Sequence, residues 1–156
     1  MFMPEDQIGE KIWNNWLRPA EVRKQEKASK RKALEVLDFL GLVDLKNEYA
    51  GSLSGGQKKL LELARSMMAE PDMVLLDEPG AGVNPTMLKK LMANIKKISA
   101  EKNITFLIIE HNMNFIMALC NPVIVLSVGR KLAEGTPEEI KKDEKVLSAY
   151  LGGQYR

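Results

Sequence analysis

The residues of this chain best suited to chemistry close two short apolar runs. Met73-Val74-Leu75-Leu76 ends in Asp77-Glu78, and Ile104-Thr105-Phe106-Leu107-Ile108-Ile109 ends in Glu110-His111. Short apolar runs with polar borders read as buried strands, and open α/β sheets place ligands at the C-terminal ends of such strands. Successive side chains of an extended chain point in different directions, so two adjacent acids should not share a task. Asp77 suits the magnesium shell of a nucleotide, and Glu78 suits polarising an attacking water. The plain alternative is a pair of solvated acids. His111 is the only histidine. A neutral imidazole there can hydrogen-bond a γ-phosphate oxygen or the attacking water, although a lone histidine is more commonly structural.

One helix and a connection before the first acidic pair stands Leu53-Ser54-Gly55-Gly56-Gln57, followed by the amphipathic run Lys58 to Met68. Ser54 and Gln57 have the spacing of a capping box, so a glycine-rich loop opens a helix here. Two glycines leave no side chain before the first amides, and the positive end of the helix dipole becomes available to an anion such as a phosphate. A flexible turn ahead of an ordinary helix accounts for this segment equally well.

These residues must be positioned by regular elements. Pro4 to about Leu45 has helical character: Ile8, Ile12, Trp13, Trp16 and Leu17 share a rough helical spacing before Pro19 interrupts. A second helix follows, rich in Lys and Glu from Gln25, with a Leu34, Leu37, Leu40 stripe that stops at Gly41. The basic cluster Lys27, Lys30, Arg31, Lys32 reads as its solvated face. After Ser52 apolar runs alternate with longer amphipathic stretches, the βα rhythm of a parallel sheet. Between the two strands Asn84-Pro85 offers an N-cap and a helix-starting proline, and Leu88, Leu91, Ile95 and Ile98 form the buried stripe of a crossover helix. Val123 to Val128 is expected to be a third strand that turns at Gly129-Arg130 into a short partner, Lys131 to Ala133. Thr136-Pro137-Glu138-Glu139 should open a further helix.

The composition is that of a globular chain: 156 residues, 45% hydrophobic and 28% charged. No apolar stretch approaches the roughly 20 residues of a membrane-spanning helix, and the start lacks the pattern of a signal peptide. A cytoplasmic location is expected. With 23 basic and 21 acidic side chains, the net charge of +2 gives no basis for a nucleic-acid partner. The single Cys120 cannot form an intrachain disulfide, and one Cys with one His cannot assemble a zinc cluster.

Taken together, LSGGQ, then LLDEP, then an Asn-Pro helix start, then a strand ending in EH resemble the ATPase subunits of the ABC transporter family, over roughly Ser52 to Tyr150. The preceding helices resemble that family's helical subdomain. The resemblance implies an α/β fold: a partial helical subdomain over residues 1–50, then over residues 51–156 an incomplete P-loop NTPase core with a mostly parallel sheet and C-terminal helices. It assigns Ser54, Gly55, Gly56 and Gln57 to the nucleotide-binding signature motif, Asp77 to the Walker B aspartate that binds metal, Glu78 to the catalytic glutamate and His111 to the switch. The D-loop, usually Ser-Ala-Leu-Asp, falls on Ala81-Gly82-Val83-Asn84, so Asn84 stands where the family has Asp. Ile109 to Met113, Ala133 to Ile140 and Ala149 to Gly152 look most like the branched-chain amino acid uptake ATPases; urea or lipopolysaccharide systems would look similar.

The resemblance further implies ATP and Mg²⁺ as ligands, a second ABC ATPase subunit and transmembrane permease subunits as partners, and a peripheral place on the inner face of the cell membrane. A phosphate-gripping loop, G-x-x-x-x-G-K-[ST], is absent from the 156 residues. Its nearest approach, Gly51 to Gly56, has Gln57 at the lysine position. Two functions are therefore expected to compete: part of an importer ATPase, or a non-catalytic module that offers its signature motif to a complete partner. A DNA-maintenance ATPase of the same family would carry a long coiled-coil insertion, which this sequence does not contain.

Overall fold

The computed structural model describes residues 12–152, and these fall into two compact units, residues up to 74 with 82–106, and residues 75–81 with 107–152. The expected start of helical character at Pro4 and the apolar position Ile8 lie outside the described residues.

The first unit is mainly helical. Helices α1 (Ile12–Leu17) and α2 (Pro19–Phe39) are separated at Arg18 rather than by a longer break, because Pro19 takes the first helical position, where its missing N–H costs nothing. Helix α2 ends as expected: Gly41 has φ +66°, its N–H donates to Asp38 O (2.9 Å) and the Leu42 N–H donates to Leu37 O (2.7 Å). That pair of bonds is a Schellman stop, for which a residue without Cβ is suited.

Helix α3 (Gly55–Met67) buries Gly56, Leu60, Leu63, Ala64 and Met67, a stripe at helical spacing, and packs on α4 (Pro85–Lys102), which buries Leu91, Asn94, Ile95 and Ile98. Leu88, expected in that stripe, is half-buried. Asn84 caps α4 by accepting from the Met87 N–H (3.0 Å), and Asn103 ends it in the left-handed region at φ +54°.

Strands β1 (Met73–Asp77) and β2 (Thr105–Ile109) are hydrogen-bonded neighbours. The Thr105 N–H donates to Asp72 O (3.0 Å) at the start of both strands, and the Glu78 N–H donates to Ile109 O (2.9 Å) at the end of both. Start beside start and end beside end make the pair parallel, and α4 is the crossover of the expected βαβ unit. The expectation that both strands are buried is corrected. Val74 is buried, but Met73, Leu75, Leu107 and Ile109 are exposed by 50–69%. An unbroken apolar run predicts cover on both faces, and among the described residues only one face has it.

In the second unit β3 (Val123–Ser127) and β4 (Arg130–Gly135) form an antiparallel hairpin, registered from Val123 opposite Gly135 to Ser127 opposite Arg130, with an irregularity after Val125. The expected partner strand is longer than three residues. Val128 and Gly129 make the turn, both at positive φ, the backbone of a tight hairpin loop. Helices α5 (Met113–Leu119), α6 (Pro137–Lys142) and α7 (Glu144–Gly152) complete the unit, whose core joins Ile116, Val123, Ile140 and Val146, flanked by Ile108, Val125 and Leu132. Thr136 and Glu139 form the expected capping box at α6: the Glu139 N–H donates to Thr136 Oγ1 (3.3 Å) and the Thr136 N–H to Glu139 Oε2 (2.8 Å). The Thr136 N–H and the Thr136 hydroxyl (3.0 Å), both donating to Oε2, hold the Glu139 carboxyl below its ordinary value of 4.5.

Candidate functional site

The candidate residues fall into two groups, one in each unit. In the first unit the capping box at the start of α3 is formed. The Gln57 N–H donates to Ser54 Oγ (3.3 Å) and the Ser54 N–H donates to Gln57 Oε1 (2.8 Å). Ser54 and Gln57 thus spend their side chains on each other, and the first-turn amides the box does not use belong to Gly55 and Gly56.

The two glycines differ. A Cβ on Gly55 would have only the Gly82 carbonyl oxygen nearby, at 3.8 Å, whereas one on Gly56 would stand 2.7 Å from Met87 Cβ. Gly56 is therefore required by the close approach of α3 and α4, a role its sequence context did not reveal. The same contacts bring the start of α3 against the loop 82–84 and the start of α4, so Ser54 to Gln57 and Asn84 lie in one neighbourhood.

The second group lies at the C-terminal ends of β1 and β2. Asp77 closes β1 with an exposed carboxylate. At Glu78 the chain leaves the strand with φ +43°, a conformation sparsely used by residues with a side chain. The Ile109 carbonyl accepts from the Glu78 N–H (2.9 Å), and the Glu78 carbonyl accepts from the Ala81 N–H (3.1 Å). The turn aims Glu78 at the end of the neighbouring strand, and its Oε1 lies 3.3 Å from His111 Nδ1. Both side chains are accessible, 54% for Glu78 and 75% for His111, as groups that meet a substrate from outside must be.

Beneath them is Glu110, which the sequence marked only as the residue before His111. Its side chain is 2% exposed. Oε1 accepts from the Gly80 N–H (2.9 Å), and Oε2 accepts from the His111 and Asn112 N–H groups (3.0 and 3.1 Å). Three backbone donors make a buried carboxylate tolerable. Asn112 in turn caps α5, accepting from the Phe115 N–H (3.2 Å). An acid just past the end of a strand carries no sequence signal separating a solvated group from a buried one.

The described residues contain no cluster of three or more His, Cys, Asp or Glu able to hold a metal by themselves. Mg²⁺ is commonly held by one or two carboxylates completed by waters and substrate phosphates, so the exposed Asp77 carboxylate fits as a partial shell for such an ion.

Family comparison gives the same sections of chain a context. The family model described as ABC transporter matches residues 3–81, and that described as branched-chain amino acid ATP-binding cassette transporter matches residues 130–156. The chain is 41% identical over 130 residues to the high-affinity branched-chain amino acid transport ATP-binding protein BraF of Pseudomonas aeruginosa, covering 83% of this chain and 51% of the relative. It is 40% identical over 134 residues to the corresponding LivG protein of Salmonella typhimurium, covering 86% and 52%. A crystal structure of an ATP-binding cassette of an ABC transporter in its ADP conformation superposes with a TM-score of 0.73 at 37% identity, over 80% of this chain and 50% of that one. The chain spans about half the length of the curated relatives it matches.

Proposed function

The chain belongs to the ABC transporter family, and from that premise we propose that it is the part of an importer's ATP-binding subunit that carries the signature motif and the hydrolytic carboxylate. Its cargo is proposed to be branched-chain amino acids, in line with the names of the relatives and the family model over residues 130–156. The observation that carries the reading is the approach of Glu78 to His111 at 3.3 Å, at the ends of adjacent parallel strands.

In this reading the exposed Glu78 carboxylate orients and polarises the attacking water, and the His111 imidazole hydrogen-bonds the γ-phosphate or that water. Asp77 would hold Mg²⁺, which would neutralise charge on the phosphates. The Gly55 and Gly56 amides, at the positive end of α3, serve a second subunit's ATP rather than this chain's own. The phosphate loop lies outside these 156 residues, and permease subunits at the inner face of the membrane complete the assembly. No described helix is long and apolar enough to cross a membrane.

The test is a chimera in which the half of Pseudomonas aeruginosa BraF that this chain does not match precedes residue 1. ATP turnover that is lost with Glu78→Gln supports the reading. A second reading, a non-catalytic module that offers its signature motif to a complete partner, rests on the formed capping box at the start of α3 alone. It requires that turnover of a complex with a complete ATPase survive Glu78→Gln and fail with Ser54→Arg.

A further inference from the structure

We propose that Glu110 is a positioning residue: its buried carboxylate ties the loop after β1 to the loop after β2 and so sets the approach of Glu78 to His111. The inference rests on reading that pair as functional, but the geometry behind it does not. One oxygen, Oε1, reaches across to Gly80, two residues beyond Glu78, while the other, Oε2, holds the backbone of His111 and Asn112. With the bond from the Glu78 N–H to Ile109 O, the Gly80 bond brackets Glu78 on both sides. Residues 78–80 are thereby fixed to the chain that carries His111.

The arrangement needs this side chain. A glutamine would present one acceptor oxygen and one NH₂ donor to three N–H groups, so at least one of the two loops must lose its bond. An aspartate would keep the charge but is one methylene shorter. The adjacent His111 and Asn112 amides stay within reach, and the cross-loop bond to Gly80 does not. Burial adds to the tie: a carboxyl whose side chain is 2% exposed keeps its three donors, because leaving them would leave buried polar groups unpaired. Glu78 and His111 are both exposed; Glu110 Oε2 also lies 3.8 Å from His111 Nδ1, so the same carboxylate that ties the two loops borders the ring as well.

The test uses the purified chain, with NMR rather than activity as the readout, so a failure of the proposed function does not affect it. The His111 ring resonances are compared with and without Glu78→Gln, at one pH, in the wild-type chain and in the Glu110→Gln and Glu110→Asp backgrounds. Amide exchange is followed at Gly80, His111 and Asn112. In the wild-type chain Glu78→Gln shifts the His111 ring signals. In Glu110→Gln that response collapses and the amides on the side that loses the oxygen, Gly80 or else His111 and Asn112, exchange at least about tenfold faster, since a charge-assisted bond is lost. In Glu110→Asp the Asn112 amide stays protected, Gly80 does not, and the His111 response again falls. Unchanged signals from Phe115 and Val146 certify the fold, and if Glu110→Gln does not fold, the aspartate variant decides. A His111 response of wild-type size in either folded variant would overturn the proposal and leave Glu110 a purely structural anchor of α5.

Discussion

Glu78 Oε1 stands 3.3 Å from His111 Nδ1, although 32 positions separate them in the chain, because a parallel βαβ unit sets the ends of β1 and β2 side by side. In the proposed mechanism the carboxylate acts on water and the imidazole on phosphate. In the BraF chimera Glu78→Gln keeps the side chain's size and removes its charge, so ATP should still bind while turnover falls by about 10²-fold or more. Nucleotide titration and steady-state turnover, measured on one preparation, check this. Parallel loss of binding and turnover would contradict it.

The two signature glycines should respond differently to alanine. Gly56→Ala puts a methyl group against Met87 Cβ, 2.7 Å away, and Gly55→Ala meets nothing closer than 3.8 Å. Overpacking costs about 1–3 kcal/mol, while removing glycine from a helix returns up to about 1 kcal/mol. Thermal unfolding of the chain should therefore show Gly56→Ala destabilised by several degrees and Gly55→Ala unchanged or slightly raised. Equal midpoints for the two variants would rule out the tight α3–α4 approach.

Much of this was legible in advance because it depends on local chemistry. The capping boxes of Ser54 with Gln57 and Thr136 with Glu139, the Asn84-Pro85 helix start and the Gly41 stop each depend on residues a few positions apart, and all are formed. Positions that depend on distant neighbours were not legible. Gly56 reads as a loop glycine until Met87 is placed against it, and nothing near Glu110 in the sequence marks it as buried until Gly80 arrives from another loop. The strands misled for a related reason. An apolar run states what a strand needs on its faces, and among the described residues Met73, Leu75, Leu107 and Ile109 remain uncovered.

That open face should make the isolated chain associate. Leu75 and Leu107 are 69% and 50% exposed, and contiguous exposed apolar side chains beside free strand edges favour self-association. Light scattering and binding of an apolar dye should both fall with Leu75→Gln and Leu107→Lys combined, with no loss of thermal stability. A monodisperse wild-type chain that ignores the dye would contradict the exposed face.

Acid should loosen two contacts in a defined direction. Glu139, held by Thr136, and Glu70, held first by the hydrogen bond and charge of Lys32, both lie below their ordinary value of 4.5. A carboxyl whose folded value is depressed adds stability that is present above its unfolded value and lost as pH falls through the folded one. Carboxyl NMR should place both midpoints below 4.5. Lys32→Met should return Glu70 toward that value and leave Glu139 unmoved; a Glu70 midpoint indifferent to Lys32 would remove the Lys32 Nζ–Glu70 Oε1 contact at 2.7 Å as the cause.

The central claim is that this chain's strand acids act on one nucleotide while its signature helix acts on another, held by a second subunit. Mixed dimers of the chimera test it most directly. One dimer pairs a Ser54→Arg subunit with a Glu78→Gln subunit, and a second pairs a subunit carrying both changes with an unaltered one. If the motifs act across the interface, the first dimer puts both lesions in one site and spares the other, and the second puts one lesion in each site. The account predicts ATP turnover well above background in the first and near background in the second. Equal turnover from both, well above background, would contradict it.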